Sequence, residues 1–303
     1  MLMDGKVVLV TGSGRGIGRA IALEAAREGA KVVVNDLGGS VSGEDEGTTP
    51  ADDVVKEIVA AGGEAIANGD SVSDWDGAHR MVQAGVDAFG RIDSIVNVAG
   101  ILRDGMFHKM SEENFDAVIN VHLKGTFNVA RAAVDHFKEQ GSGSMVHFSS
   151  TSGLVGAIGQ ANYSAAKMGI VGLSRSIALE GARYGVRSNI VSPFAWTRMI
   201  ESIPISSDEQ AKAMQEMKDT QQPEHISPMV VCLLSDAASK VSGQVFAVRG
   251  TEVMLLSQPR PIAIMANAGG WTPQQLADRA IPAFSKNLIE PDTSGSYFSW
   301  PTL

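Results

Sequence analysis

The sequence predicts an α/β fold: a doubly wound parallel sheet forming a single domain with a C-terminal extension. Three observations carry this expectation. Short β-branched runs such as Lys6 to Val10, Lys31 to Asn35 and Arg187 to Val191 alternate with helical periods, the mark of strands buried on both faces and joined by helices. The first run passes directly into a glycine turn and then a helix. The chain of 303 residues is 44% apolar, enough for a sizeable core, and no Pro/Ser-rich linker divides it.

The bulk numbers narrow the partners. A net charge of −9 and a pI near 5.2, with no cluster of Lys and Arg, argue against a nucleic-acid backbone or an anionic membrane and favour a small molecule. The single Cys232 cannot close an internal disulfide, and its apolar neighbours predict a buried helix position. The six histidines show no metal-ligand spacing, so no metal is expected. No apolar run reaches the ~18 residues of a membrane span, and residues 1–10 do not read as a signal peptide, which makes a cytoplasmic location the expectation.

Taken in order, the strand Lys6 to Val10 leads into Thr11-Gly12-Ser13-Gly14-Arg15-Gly16-Ile17-Gly18, after which Ala20, Ile21 and Leu23 begin a helix. Strand, glycine turn and helix form the Rossmann-type dinucleotide-binding unit: Gly12, Gly16 and Gly18 let the backbone approach a pyrophosphate, and the helix N-terminus supplies N–H donors. Asp36 ends the second strand, where a carboxylate accepts both adenosine ribose hydroxyls and repels a 2′-phosphate, favouring NAD over NADP. Arg15 argues the other way, since it could reach that phosphate. A helix over Asp52 to Ala61 and a short strand over Ala65 to Ala67 follow. Asp70, followed by Ser71, either touches the adenine edge or caps the helix that starts near Trp75.

The helix Trp75 to Phe89 precedes a strand over Ser94 to Val98, which ends at Ala99-Gly100, small enough to pack against a flat ring. Ser111 is the expected N-cap of a helix that runs towards Glu139 with Asn120 near its middle. The strand Met145 to Ser149 delivers Ser150. A helix from Ala161 to Tyr184 places Tyr163 and Lys167 at i and i+4 on one face. At roughly 5 Å and an effective dielectric near 20, an ammonium favours the phenolate by about 3 kcal/mol, so the pair predicts a tyrosine shifted down by roughly two units. A sixth strand, Arg187 to Val191, closes at Ser192-Pro193. A helix over Pro223 to Leu234 and a strand over Gln244 to Val248 complete the main body.

Thr11-Gly12 to Gly18, Asn97-Val98-Ala99-Gly100, Asn120, Ser150 and Tyr163 with Lys167 together resemble the short-chain dehydrogenase/reductase family. The stretches Asn35 to Gly39, Ala99 to Asp104 and Gly159 to Tyr163 look most like the (3R)-hydroxyacyl-CoA dehydrogenase unit of peroxisomal multifunctional β-oxidation enzymes and its bacterial relatives. The resemblance implies an NAD-dependent oxidoreductase acting on a secondary alcohol or ketone, with a 3-hydroxyacyl-CoA as the expected substrate and a hydroxysteroid or a 3-oxoacyl-carrier-protein as alternatives. It implies that Tyr163 is the acid/base, that Lys167 lowers its pKa and holds the nicotinamide ribose, that Ser150 polarises the carbonyl and that Asn120 positions a relay water. Asn97, Ala99, Gly100, Pro193 and Thr197 join the glycine turn, Asp36, Asp70 and Ser71 as cofactor contacts. Pro193 to Thr197 is one residue shorter than the usual family pattern, as in the multifunctional enzymes.

Gln160, Phe194 and Trp196 are substrate candidates, and Arg103, Lys109 and Arg198 are candidate cations for CoA phosphates. Residues 1–250 are expected to form the Rossmann domain. Within it, a segment at about 194–222, with Ile200, Ile203 and Ile205, reads as a lid or an ordinary surface helix. Residues 251–303 would pack on the domain, with strands at Glu252 to Leu256 and Ile262 to Met265, a helix opened by Thr272-Pro273 and an irregular tail from Pro291. Gly169 and Gly172 on the catalytic helix, with the habit of relatives, imply a homodimer or homotetramer.

Overall fold

The computed structural model describes residues 1–44, 49–201, 207–300 and 302. Eight strands form one sheet in the order β3-β2-β1-β4-β5-β6-β7-β8. They are β1 (Val7–Thr11), β2 (Lys31–Asn35), β3 (Glu64–Asn68), β4 (Ser94–Asn97), β5 (Gly143–Phe148), β6 (Val186–Phe194), β7 (Val245–Arg249) and β8 (Glu252–Leu255). The first seven run parallel, and β8 turns back antiparallel on β7. Strand order reverses between β1 and β4, and ligands of open α/β sheets bind beyond the carboxyl ends of the strands at such a switch point.

Alternation along the strands assigns the two faces. Val8, Val10, Val32, Val34 and Val146 point to one layer of helices, made of α1 (Gly16–Arg27), α2 (Pro50–Ala60) and, further along the chain, α10 (Ser227–Leu234). Val7, Leu9, Ile95 and Met145 point to the other, against α3 (Trp75–Phe89) and α5 (Gly125–Gln140), while α4 (Glu112–Ile119) sets Val118 in a smaller cluster with Ile101 and Ala166. The short α6 (Thr151–Leu154) follows β5, and α7 (Ala161–Gly181) packs Ile170 and Val171 on Ile190 and Val245. Removing a large side chain from either layer, as in Leu9→Ala, would cost about 2–5 kcal/mol. Two further helices, α8 (Arg198–Glu201) and α9 (Asp208–Thr220), lie between β6 and α10; Ile203 and Ile205 of the expected lid lie outside the described residues.

Several local expectations need correction. Cys232 is exposed, because Val230, Val231 and Leu234 take the inward face of α10 and residue 232 falls opposite them at 100° per residue. A single turn at Pro223–His225 stands apart from that helix. Residues 262–265 form no strand: Ile262 and Ile264 are exposed and meet no sheet edge. β6 runs on through Pro193 and Phe194, since Pro193 faces Val248 in the ladder with β7.

The tail beyond Pro291 is held rather than irregular. Thr293 caps a turn at Ser294–Tyr297, Ser294 bonds both the Gly156 carbonyl and the Thr151 hydroxyl, and Phe298 meets the Phe194 ring edge-on at 5.0 Å. Arg249, only 3% exposed, pairs with Glu252 at 2.6 Å and donates to the carbonyls of Phe298 and Trp300 at 2.9 and 3.0 Å. Charge-assisted bonds of this kind are the stronger ones. Arg249→Leu should therefore raise amide hydrogen exchange in residues 298–300 by about tenfold or more while leaving the β1 and β4 amides protected. Unchanged exchange in the tail would assign its anchoring to the aromatic contacts alone.

Candidate active site

Glycines build the nucleotide end of the site. Gly12 and Gly16 have φ of 64° and 53°, left-handed values that L side chains resist. A Cβ on Gly12 would stand 2.8 Å from the Ala99 Cα, so the bare glycine lets the turn after β1 touch the end of β4. Thr11 fastens the same junction, its hydroxyl accepting from the Val98 and Ala99 N–H groups at 3.1 and 3.3 Å. A Cβ on Gly16 would meet nothing nearer than a Thr197 methyl at 3.8 Å. That leaves open space over the first turn of α1, where the N–H groups of Gly16, Ile17 and Gly18 have no intrahelical acceptor. Gly18 is bare because a side chain there would strike the Gly12 carbonyl. Open space, unsatisfied donors and the positive end of a helix are what a pyrophosphate requires.

Asp36 takes N–H bonds from Gly14 at 2.9 Å and from Gly38 at 2.8 Å, which fixes its carboxylate beside the glycine turn. Arg15, half-buried, is the residue before α1. Thr197 and Trp196 line a cleft of about 300 Å³ with Gly16, Arg19 and Gln222, and Pro193 and Phe194 end β6 next to it in sequence. Asp70 does not cap α3; Asp74 does, accepting from Gly77 N–H at 2.9 Å. Asp70 instead receives Arg80 and Asn68, and Ser71 accepts from the Ser73 N–H. Asn97 is 5% exposed, and its amide meets Nδ1 of the buried His147 at 3.0 Å, so its side chain is committed within the sheet. Ala99 and Gly100 carry the chain out of β4.

The chemical end is assembled by β5 and α7. Ser150 follows β5, accepts from the Ser152 N–H at 3.1 Å and lies near enough to the Tyr163 phenol to favour its ionised form. Lys167 is 4% exposed, donates to the Phe148 carbonyl at 2.8 Å and stands 5.3 Å from the centre of the Tyr163 ring. Burial sets the electrostatics here. It pushes the phenol up to about 12, against the lowering effect of the Ser150 hydroxyl, and brings Lys167 down to about 7. The expected downward shift of Tyr163 is thus overturned: desolvation of the phenolate is the largest effect on it.

The loop after β4 is stitched to the start of α7. Gly105 N–H donates to the Gly159 carbonyl at 2.8 Å, Asn162 donates to the Arg103 carbonyl at 2.8 Å, and Gln160 Nε2 donates to Asp104 at 2.7 Å. Asp104, which sequence reasoning passed over, also opposes ionisation of Tyr163. Arg103 is engaged with Glu113 and the Ser42 carbonyl, and Lys109 sits on an exposed single turn. The side chain of Arg198 lies outside the described residues.

Asn120 does not reach this centre. The helix expected to run unbroken from Ser111 widens into a single π-type turn, Asn120–Lys124, between α4 and α5. Asn120 is exposed at its start, whereas His122 is 2% exposed with its ring 5.2 Å from that of Tyr163. Residues two apart on a helix point to nearly opposite sides, so only one of the two can face inward. The sole advance signal was a second polar residue at that spacing.

Comparison with known proteins agrees with this geometry. A family profile described as enoyl-(acyl carrier protein) reductase matches residues 12–250. The peroxisomal multifunctional enzyme type 2 of Mus musculus is 45% identical over 240 residues; these cover 79% of this chain but 31% of the mouse protein, so the chain spans about a third of that relative. A hydroxyacyl-CoA dehydrogenase of Mycobacterium tuberculosis is 40% identical, over 90% of this chain and 87% of its own length. The crystal structure of a short chain dehydrogenase from Mycobacterium avium superposes with a TM-score of 0.82 at 41% identity, covering 97% of this chain and 99% of the other. A glycine cradle at the switch point, a Ser–Tyr–Lys centre beyond it and relatives of this likeness have one reading: the chain belongs to the short-chain dehydrogenase/reductase family of nicotinamide-dependent oxidoreductases.

Proposed function

We propose that the protein is an NAD-dependent dehydrogenase that acts between the alcohol and ketone forms of a 3-hydroxyacyl-CoA. The observation that carries this reading is the Ser150–Tyr163–Lys167 centre, with Lys167 buried and the two hydroxyl residues half-buried, placed across the switch point from Asp36. The glycine cradle fits a dinucleotide; Gly12, Gly16, Ile17 and Gly18 would hold its pyrophosphate, Asp36 its adenosine ribose, and Thr197 its carboxamide end. When bound, the nicotinamide gives or takes the hydride.

The chain's own residues handle the proton. Ser150 offers its hydroxyl to the substrate oxygen, and Tyr163 gives a proton to that oxygen in reduction or takes one in oxidation. With its phenol pushed up to about 12, Tyr163 holds its proton at neutral pH. Lys167, brought down to about 7, stands at the edge of ionisation, and each charge it gains favours the phenolate beside it. Phe194 and Phe298, in contact at 5.0 Å, supply an apolar wall suited to an acyl chain.

The coenzyme A portion is supported by the name of the mycobacterial relative, with the exposed Lys109 as a candidate cation. A reductase for acyl groups on a carrier protein is the second reading, favoured by the matched family description; a hydroxysteroid dehydrogenase is a third. A panel of 3-hydroxyacyl-CoAs, carrier-bound 3-oxoacyl groups and hydroxysteroids, each run with both cofactors, separates them.

Tyr163→Phe should lower turnover by about 10³-fold or more while NAD affinity, followed by fluorescence titration, stays within about twofold; full activity in that variant would remove the acid/base assignment. Asp36→Ala should lower kcat/KM for NAD by about tenfold or more and relax discrimination against NADP. A wild-type preference for NADP would reverse the cofactor assignment in favour of Arg15. We also propose a dimer or tetramer, because Phe115, Phe127, Met168 and Leu179 are exposed on α4, α5 and α7 and such apolar surface seeks a partner. A monomeric mass by multi-angle light scattering would contradict it.

A further inference from the structure

Asp36 does more than follow β2. One carboxylate oxygen accepts the Gly38 N–H at 2.8 Å, and Gly38, with φ of 83°, leads the chain into a compact loop over residues 40–44. There the Ser40 N–H donates to the Glu44 carbonyl at 2.7 Å, the Gly43 N–H to the Ser40 carbonyl at 3.1 Å, and the Glu44 N–H to the Ser40 hydroxyl at 3.0 Å. These bonds are local, so they give the loop its shape and leave its position to other contacts.

The chain after β4 supplies those contacts. The Leu102 N–H donates to the Val41 carbonyl at 3.0 Å, Arg103 Nε donates to the Ser42 carbonyl at 3.2 Å, and a Cβ on Gly43 would stand 3.1 Å from an Ile101 methyl. Residues 101–103 thus meet residues 41–43 one for one. Arg103 also reaches Glu113 at 3.2 Å, and its own carbonyl accepts from Asn162 Nδ2 at 2.8 Å. Asn162 is fully buried; its amide also donates to the Asn114 carbonyl, and its Oδ1 accepts the Tyr163 N–H at 2.8 Å. Hydrogen bonds and short chain segments therefore lead from Asp36, through the 40–44 loop, Arg103 and Asn162, to the main chain of Tyr163.

A chain of contacts transmits binding only where one element has two arrangements that both sites bias. The 40–44 loop is suited to be that element. It is polar and partly exposed, the kind of segment that opens locally at low cost. A carboxylate oxygen can accept more than one hydrogen bond, so Asp36 can hold a ribose hydroxyl and the Gly38 N–H together. A carboxylate fixed by ligand fixes the root of the loop.

We propose that Arg103 is the positioning residue that ties recognition of the adenosine ribose at Asp36 to the placement of Tyr163: a nucleotide on Asp36 seats the 40–44 loop on residues 101–103, and Arg103 passes that seating to the first turn of α7. The proposal rests on the reading of the glycine turn and Asp36 as a dinucleotide site. It gives Arg103 a task within the protein in place of a coenzyme A phosphate.

The test follows amide hydrogen exchange of the full chain with adenosine 5′-monophosphate as the probe. In the wild type, saturating probe should slow exchange by about threefold or more at residues 14–18 and 36–40, and also at 102–105 and 160–163. In Arg103→Met the slowing at 14–18 and 36–40 should persist while that at 102–105 and 160–163 is lost. Gly43→Val attacks the same clasp from the other loop, through its Cβ and its φ of 91°, and should give the same pattern; it carries the test should Arg103→Met not fold. Glu113→Gln, which breaks only an exposed ion pair, should behave as wild type. In turnover at saturating NAD, Arg103→Met should lower kcat by about tenfold, and Arg103→Lys, which restores one donor, should recover part of the loss. Slowing at 102–105 and 160–163 that survives in both clasp variants, or that is missing from a wild type whose residues 14–18 respond, would overturn the proposal. A wild type that responds nowhere would overturn the dinucleotide reading with it.

Discussion

Lys167 is carried into the interior on the second turn of α7 and given a main-chain carbonyl of β5 as its acceptor. Much else follows from keeping that amine dry. Its burial demands a helix packed flat on the sheet, which Ile170 and Val171 secure against Ile190 and Val245. The turn before Lys167 carries Tyr163, so β5 has to stop where Ser150 comes near the phenol. The π-type turn before α5 brings a polar ring to the remaining side. Desolvation thus sets the electrostatics: it pushes the phenol up and brings the lysine down.

The fold was largely legible, because parallel strands buried on both faces read as short valine-rich runs and the glycine turn marks the start of α1. β2 and α3 have the bounds that the pattern predicts. Legibility failed where tertiary context overrode local pattern. Ile262 to Met265 looks like a strand but lacks an edge to join. Cys232 shares its apolar neighbours' sequence but not their face. The tail looked featureless because its order comes from Arg249, some fifty positions away in the chain.

The site divides in the same way. The placement of Gly12, Gly16, Asp36, Ser150, Tyr163 and Lys167 was readable because backbone reach and i,i+4 spacing constrain it. Asn120 was misplaced because one widened turn changes which residue faces inward, and nothing in a helical period announces such a turn. Asp104 and His122 carry no motif of their own. Each matters through a neighbour's charge, and that is visible only once the loop after β4 and the start of α7 are seen clasped together.

The antiparallel return of β8 bears on how the molecule survives its own synthesis. Until residues 252–255 fold back, the five-residue β7, which includes Val245 and Val248, shows unpaired N–H and C=O groups along its outer edge. Such a row is a template for pairing with another chain. Covering it with a strand of only four residues, with Glu252 at its start held by Arg249, leaves an outer edge too short to recruit a neighbour effectively. The return of β8 therefore shields the β7 edge from pairing with another chain.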